Sequence, residues 1–342
     1  MTSFINHDLT TIDQKQNDAR FVSPSSKTVG VVLLNWNSGS LTLECLDSLF
    51  GGQRKPDLIV VVDNASSDGS PDLLTVRYPN VTLIRNTTNL GFTGGNNVGI
   101  RFLMEHQAEY IWILNNDTLV AHDCLNVLVN WMTEHEDIAA CSAKILYADP
   151  PDRLWYAGSE WSSLRLLGLH RGIGETDKGQ YDDPGDTLFL DGCCMFIRRN
   201  ALIKVGYFDE QFFAYNEDID WCFRAHRLGF RLAYVPKAVL WHRISASIQQ
   251  EKRGTCQGTS TPRQQYLTYR NRLFIIRRYA PSRLILTTAV FMVLNHALFH
   301  TVALFVLGRF RKLYSVLLGV REGLTSRLRS PESIQLVATH KD

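Results

Sequence analysis

The sequence predicts a doubly wound, mainly parallel α/β sheet over about residues 28–120, with helices further along the chain. Three observations predict this fold. Short apolar runs recur, and runs of this kind are typical of strands buried on both faces of a parallel sheet. The runs alternate with amphipathic segments, which gives a βαβαβαβ order with right-handed crossovers. Several of the runs end in a cluster rich in Asn and Asp, the edge at which open α/β sheets bind ligands.

The elements follow in order along the chain. Strands are predicted at residues 28–34, 58–62, 81–84 and 110–114. Helices are predicted from about residue 41 to 50, from Ser70-Pro71 onwards, and up to about residue 106. The glycine-rich residues 89–99 are interpreted as a loop that precedes the last of these helices.

The fourth strand is followed by Asn115-Asn116-Asp117, which places a carboxylate at the carboxyl edge of the sheet. Beyond it, residues 147–186 are rich in Gly, Asp and Pro and are predicted to form a long, partly ordered loop over that edge. A strand at 231–235 is expected to stop at Pro236, and a helix is expected over about residues 262–279.

Bulk composition is that of an ordinary globular protein. The 342 residues are 45% hydrophobic and 20% charged, with a net charge of +2, so no global field indicates nucleic acid. The charge is uneven, because residues 263–329 are basic and contain a single acid, Glu322. A basic and apolar C-terminal region indicates a membrane surface or an anionic acceptor.

The seven cysteines are odd in number and lack the spacing of a zinc site or a disulfide framework, so we expect buried free thiols in a reducing compartment. The polar residues 1–27 show no signal peptide and are expected to form a flexible arm. Residues 284–307 carry no charge and are a candidate membrane span. Because their Thr, Asn and His residues suit hydrocarbon poorly, a helix that lies at the membrane interface, or is re-entrant in it, fits them equally well.

The fold would bring Asp63, Asp117, Asp218 and His242 to one edge, because each follows or faces the end of an apolar strand. Carboxylates beside a phosphate suit Mg²⁺ or Mn²⁺, and such an ion would stabilise a diphosphate leaving group. Glu217 and Asp218 start a helix, and a carboxylate there could serve as a general base, although the helix dipole would lower the pKa of that carboxylate.

Each feature also has a plainer interpretation. The cluster after Asp63 is ordinary turn chemistry, His242 alone is more often structural, and Asp218 alone would be a solvated helix start. The glycine segment matches neither a P-loop nor a dinucleotide fingerprint. The functional interpretation is favoured only by all of these features together.

Taken together, the motifs make the chain resemble family 2 glycosyltransferases of the GT-A fold, in particular the bacterial rhamnosyltransferase-like branch. The resemblance covers about residues 28–280. The motifs that carry it, in order, are VVLLNWNSGSLTLECLDSL, VVDNASSDGS, NLGFTGGNNVGI, LNNDT, FLDGCCMFIRRNALIKVGYFDEQFFAYNEDIDWCFRAHRLGF and VLWH.

The resemblance implies a role for each matching residue. Asp218, with Glu217 beside it, matches the catalytic base. Asp117 and His242 match the metal ligands, although Asn115 replaces the first acid of the family's Asp-X-Asp motif. Acceptor-side positions are Asp191 and Trp221, with Trp221 and Arg224 also supporting the base-bearing helix. The positions implied for binding the nucleotide-sugar are Asn35, Asp63, Gly94, Gly95, Asn96 and Asn116.

The implied activity is metal-dependent, inverting transfer of a sugar such as rhamnose from a nucleoside-diphosphate sugar to a glycan or polyprenyl-linked acceptor. The expected setting is surface-polysaccharide assembly at the cytoplasmic face of the cell membrane, with the protein peripheral or single-span. The expected divisions are an arm at 1–27, a GT-A domain at 28–255, a basic and aromatic helix at 256–283, an apolar membrane-associated helix at 284–307 and a basic tail at 308–342.

Two alternatives remain at this point. A nucleotidyltransferase that makes nucleotide-sugars uses a similar sheet, but it carries a basic, Gly-rich signature after the first strand, where this chain has Asn35-Trp36-Asn37-Ser38-Gly39. A catalytically inactive, membrane-associated scaffold of the same fold is the other alternative.

Overall fold

The structure is a computed structural model, and it describes residues 27–162, 167–243 and 260–334. The predicted arm, apart from Lys27, and Cys256 lie outside these residues. The other six cysteines are buried free thiols, as expected.

A mixed, mainly parallel sheet forms the centre of the molecule. Its strands and a separate hairpin are β1 (Val29–Asn35), β2 (Leu58–Asp63), β3 (Thr82–Arg85), β4 (Tyr110–Asn115), β5 (Thr118–Val120), β6 (Ile138–Tyr147), β7 (Leu154–Tyr156), β8 (Ser159–Ser162), β9 (Leu167–His170), β10 (Gly185–Asp186), β11 (Cys194–Arg198) and β12 (Arg231–His242). The sheet order is β10-β12-β6-β11-β4-β1-β2-β3, with β5 beside β12 and β7 beside β6, while β8 and β9 pair with each other. Strands β3, β2, β1 and β4 are parallel, and β11 runs against both of its neighbours.

Helices cover both faces of this sheet. They are α1 (Gly39–Gly51), α2 (Ser70–Arg77), α3 (Gly91–Glu105), α4 (Cys124–Glu134), α5 (Arg199–Val205), α6 (Glu217–Arg227), α7 (Pro262–Tyr279), α8 (Arg283–Val306) and α9 (Phe310–Thr325). Alternate residues of β1 face opposite sides: Val31 packs in the apolar layer with α1 and α4, and Val32 packs in the layer with α3, α5 and α6. The predicted doubly wound, mainly parallel sheet is confirmed.

The prediction of a loop over residues 147–186 is wrong in part. Strands β7, β8, β9 and β10 lie in this region, and the buried Lys144 of β6 anchors it through ion pairs with Asp177 and Asp182. All of these strands have at most four residues, which is too short for a periodic pattern to show.

Pro236 does not end its strand as predicted. Strand β12 continues to His242, and a shift of register between Val235 and Val239 absorbs the proline. Proline is compatible with a strand at such an irregularity, because there the missing N–H is not needed for the ladder. The continuation carries His242 to a position opposite Thr118 of β5.

The glycine-rich segment is helical rather than a loop. Helix α3 begins at Gly91, so Gly94, Gly95 and Asn96 lie within its first two turns. A Cβ on Gly95 would overlap Leu34 of β1, and a Cβ on Gly99 would overlap Val32. These glycines let the helix pack directly against the sheet.

The last three helices form a separate apolar cluster that includes Leu273, Val293 and Val316. Helix α8 buries one stripe of side chains, and most of its large apolar side chains are exposed on the remaining surface. Among the described residues, it is the one helix long and apolar enough to cross a membrane.

Candidate active site

Asp117 and His242 meet at the carboxyl edge of the sheet. The turn after β4 presents Asp117, and β12 brings His242 beside it, with the imidazole Nε2 3.1 Å from Asp117 Oδ1. Both side chains are largely buried. Burial lowers the pKa of His242, but the charges of Asp117 and Asp191 outweigh this effect and raise the pKa above its ordinary value.

Asp191 lies between this pair and the start of helix α6. Its Oδ1 accepts from the Cys193 N–H at 2.8 Å, and its Oδ2 accepts from Trp155 Nε1 at 2.8 Å. His170 Nε2 lies 3.3 Å from the same Oδ2. Burial alone would raise the pKa of Asp191, but the charges of His170 and His242 hold it below its ordinary value.

Asp218 faces Asp191 from the first turn of α6. The Gly192 N–H donates to Asp218 Oδ2 at 2.9 Å, and the Ile219 N–H donates to Oδ1 at 2.8 Å. Burial, followed by the charge of Asp191, raises the pKa of Asp218 to about 6. The expectation that the helix dipole would lower this pKa is therefore wrong, because desolvation exceeds the dipole effect at this position.

Glu217 is buried beside Asp218, and its Oε2 has no hydrogen-bond partner within the described part of the chain. Burial, and then the charge of Asp218, raise the pKa of Glu217 well above its ordinary value. The pKa of Glu217 therefore shifts in the same direction as that of Asp218, but Glu217 has a carboxyl oxygen without a partner, whereas both oxygens of Asp218 accept an N–H.

Asp63 belongs to a hydrogen-bond chain on the other side of the edge. Asn35 Nδ2 donates to Asp63 Oδ1 at 2.8 Å, and Thr42 Oγ1 donates to Asn35 Oδ1 at 2.8 Å. Asn116 Nδ2 donates to Thr42 Oγ1 at 2.8 Å, so the chain ends next to Asp117. The structure thus connects Asp63 with Asp117, His242, Asp191 and Asp218 along one edge.

Several residues expected to contact a ligand directly are enclosed. Asn35 and Trp221 have no exposed surface, and Asn96 is 1% exposed. Trp221 donates from Nε1 to the carbonyl oxygen of Gly206 at 2.9 Å within the core, so its expected acceptor contact is corrected to a packing role. Asn35 is fully engaged with neighbouring side chains, and Asn96 Nδ2 donates to the Phe92 carbonyl within its own helix. Gly94 and Gly95 are buried as well.

Trp155 and His170 were missed by the sequence analysis. The Trp155 ring lies edge-on to both imidazoles, 5.2 Å from His170 and 5.8 Å from His242 between ring centroids. Both residues come from the segment predicted as a loop, where scattered aromatic residues were the only available signal. On the Asp63 side of the edge, Trp36 is 52% exposed directly after β1.

Asp117 and His242 fit two ligands of one octahedral divalent ion. Neighbouring ligands at about 2.1 Å from such an ion lie about 3 Å apart, close to the observed 3.1 Å. Asp117 Oδ1 is buried and has no aligned hydrogen bond among the described residues, which leaves it available to a cation. No cluster of three or more His, Cys, Asp or Glu residues with metal-binding geometry occurs in residues 27–162, 167–243 and 260–334.

The chain is similar to known proteins in both sequence and fold. The model of the family "Glycosyl transferase family 2" matches residues 30–206. The chain is 27% identical over 231 residues to the N-acetylglucosaminyl-diphospho-decaprenol L-rhamnosyltransferase of Mycobacterium tuberculosis, covering 62% of this chain and 75% of that protein. It is 30% identical over 156 residues to the rhamnosyltransferase WbbL of Escherichia coli, covering 43% of this chain and 58% of WbbL.

The fold is shared with a solved structure, GalNAc-T7 with UDP, GalNAc and Mn²⁺. The TM-score is 0.51 at 17% identity, and the match covers 65% of this chain and 44% of that one. At this identity the likeness bears on the fold alone, and it agrees with a GT-A-like sheet.

Proposed function

This chain belongs to glycosyl transferase family 2, and on that premise we propose an inverting, metal-dependent transfer of a sugar to a hydroxyl group of a glycan or lipid-linked acceptor. The donor is a nucleoside-diphosphate sugar. Family membership sets aside the nucleotidyltransferase alternative. An inactive scaffold of the same fold is an outcome that the experiment below would reveal.

One observation carries the proposal: Asp218 faces Asp191, whose carboxylate also interacts with His242 of the Asp117–His242 pair. A base with a pKa of about 6 and a pair suited to a cation therefore lie side by side at one edge of the sheet. Both are needed to join an acceptor hydroxyl to a sugar while a diphosphate departs.

The reaction follows as a single displacement. Asp218 accepts the proton of the acceptor hydroxyl, and the oxygen forms a bond to the anomeric carbon. The bond from that carbon to the diphosphate oxygen breaks on the opposite face, which inverts the anomeric configuration. Asp218 is proposed as the base in preference to Glu217, since the Gly192 and Ile219 N–H groups hold the Asp218 carboxylate in place, whereas Glu217 is buried beside it.

Asp117 and His242 would hold Mg²⁺ or Mn²⁺, and the bound ion would neutralise negative charge on the departing diphosphate. On the donor side, Asp63 with Asn116 and Asn35 shapes the nucleotide site, and the exposed Trp36 adds an aromatic wall to it. Two relatives are named rhamnosyltransferases, which favours rhamnose as the transferred sugar.

We propose that the enzyme acts at the cytoplasmic face of the cell membrane, as a peripheral or single-span protein in surface-polysaccharide assembly. The support is the exposed apolar surface of α8 together with the basic residues that flank it. The relative from M. tuberculosis is named for an acceptor on a decaprenyl diphosphate, which favours a polyprenyl-linked acceptor here.

A thermal-shift screen of nucleoside diphosphates and their sugars, with and without Mn²⁺, tests the donor class. We expect one base to raise the Tm by about 5 °C at a ligand concentration of about 100 times Kd, because binding stabilises only the folded state. The rise in Tm should require Mn²⁺, and the protein should slowly hydrolyse the sugar ester of the same nucleotide.

The matched variants in this screen are His242→Ala and His122→Ala, of which His122 is an exposed histidine outside the site. Only His242→Ala should remove the Mn²⁺-dependent part of the shift. If no nucleotide stabilises the protein and no sugar is transferred or hydrolysed, the scaffold alternative holds instead.

The fall of kcat/KM at low pH should report the protonation of Asp218. Its pKa of about 6 means that the carboxylate is charged, and able to accept a proton, only above that pH. We therefore expect kcat/KM to be constant at pH 7–8 and to fall about tenfold per pH unit below about 6. Initial rates from pH 5 to 8.5 check this, and a profile that stays flat down to pH 5 would contradict the assignment.

A further inference from the structure

The segment of residues 209–220, which leads into helix α6 and includes its start, has an unusual backbone. Phe213, Tyr215 and Asn216 have φ values of 64°, 72° and 68°, although none of them is glycine. Residues other than glycine keep this left-handed conformation only where the surrounding structure holds them in it. Because Asp218 follows two residues later, the position of its carboxylate depends on whatever holds this segment.

Helix α7 holds the middle of the segment through one buried amide. Asn271 Nδ2 lies 2.9, 2.7 and 2.8 Å from the carbonyl oxygens of Phe212, Ala214 and Tyr215. Arg270 Nε donates to Asn271 Oδ1 at 2.9 Å, which turns the N–H groups of the amide towards those carbonyls.

The same helix joins the two ends of the segment. One guanidinium nitrogen of Arg278 binds Asp209 Oδ2 at 2.9 Å, and the other binds Asp220 Oδ1 at 2.6 Å. All three side chains are buried, so the contacts are well shielded from solvent. The Tyr279 hydroxyl donates to the same Asp220 oxygen at 2.7 Å.

Helix α3 supports the segment from another direction. The Phe213 carbonyl accepts from the Thr93 N–H at 3.1 Å, and a Cβ on Gly91 would overlap this carbonyl oxygen. The segment is therefore held between α3, which packs on the central sheet, and α7, which belongs to the C-terminal helices.

We propose that Asn271 and Arg278 are positioning residues that place Asp218 for proton transfer. The proposal rests on the base role assigned to Asp218 above. It makes helix α7, which lies beyond the matched residues 30–206, part of the machinery for transfer as well as part of the membrane-facing helical unit. Donor binding is assigned above to Asp63, Asn116 and Asn35 on the other side of the sheet edge, so we expect it not to depend on these contacts.

Asn271→Asp tests the proposal in the full-length protein. The variant keeps the size of the side chain but replaces a donor with a carboxylate facing three carbonyl oxygens. We expect kcat to fall about 100-fold, as for a displacement of about 1 Å in a catalytic group, with the donor KM unchanged within about twofold. Thr268→Ala, an exposed position on the same helix, should keep the parent kcat.

Arg278→Lys provides a second variant, because an ammonium keeps the charge but lacks the planar fork that reaches both carboxylates. We expect kcat to fall at least tenfold, again at constant donor KM. Full kcat in a folded Asn271→Asp or Arg278→Lys variant overturns the positioning role, as does a parallel loss of kcat and donor binding. An active Asp218→Asn variant would instead remove the base assignment, and the positioning role with it.

Discussion

Replacing Asp218 with asparagine is expected to lower kcat for sugar transfer by a factor of about 10² to 10⁴, the usual contribution of a positioned general base. The amide is close in size to the carboxylate but cannot accept the proton of the acceptor hydroxyl. Stabilisation by the nucleoside diphosphate with Mn²⁺ should persist, since Asp117 and His242 are untouched. Product formation from a nucleotide-sugar, alongside the thermal shift, measures both effects.

Glu217→Gln makes the comparison sharper, because burial raises the pKa of Glu217 and glutamine resembles the neutral form of this side chain. We expect this substitution to cost much less than Asp218→Asn. Asp186→Asn, an exposed carboxylate paired with Arg231 away from the site, serves as the unaffected control. If the order is reversed, so that Glu217→Gln is the inactive variant, Glu217 is the base.

Most of the sheet could be predicted from the sequence because its strands are buried on both faces. A run such as residues 58–62 of β2 must be apolar along its whole length, and that signal does not depend on distant residues. The acidic residues at the strand ends could be placed for the same reason. Once the strands are parallel, Asn35 and Asp63 become neighbours in register.

The parts that could not be predicted depend on contacts between distant segments. The glycines of α3 look like turn residues in isolation, and only the proximity of Leu34 and Val32 shows that they allow close packing. Trp155 and His170 likewise reach the site only because the short strands β7 and β9 bring them beside His242 and Asp191. The raised pKa of Asp218 was missed because burial cannot be read from a helix start.

Helix α8 is expected to bind the protein to lipid, and this can be measured by flotation with vesicles containing anionic phospholipid. Phe299 and Val306 are 74% and 77% exposed on this helix. Replacing both with glutamate should lower the vesicle partition coefficient at least tenfold. Each buried apolar side chain of this size contributes about 1.5–3 kcal/mol, and the new charges are repelled by the anionic surface.

A matched control comes from the catalytic domain, where Leu73 and Val76 of α2 are 49% and 82% exposed. Converting this pair to glutamate adds the same charge to the protein but leaves α8 intact, so binding should change little. Equal loss of binding in the two double variants would show that net charge controls the association. Unchanged binding in the α8 variant would remove this helix from the membrane contact. If the α8 variant stays in solution and still transfers sugar to a soluble acceptor analogue, the helix supplies anchoring, and the positioning contacts of α7 are independent of it.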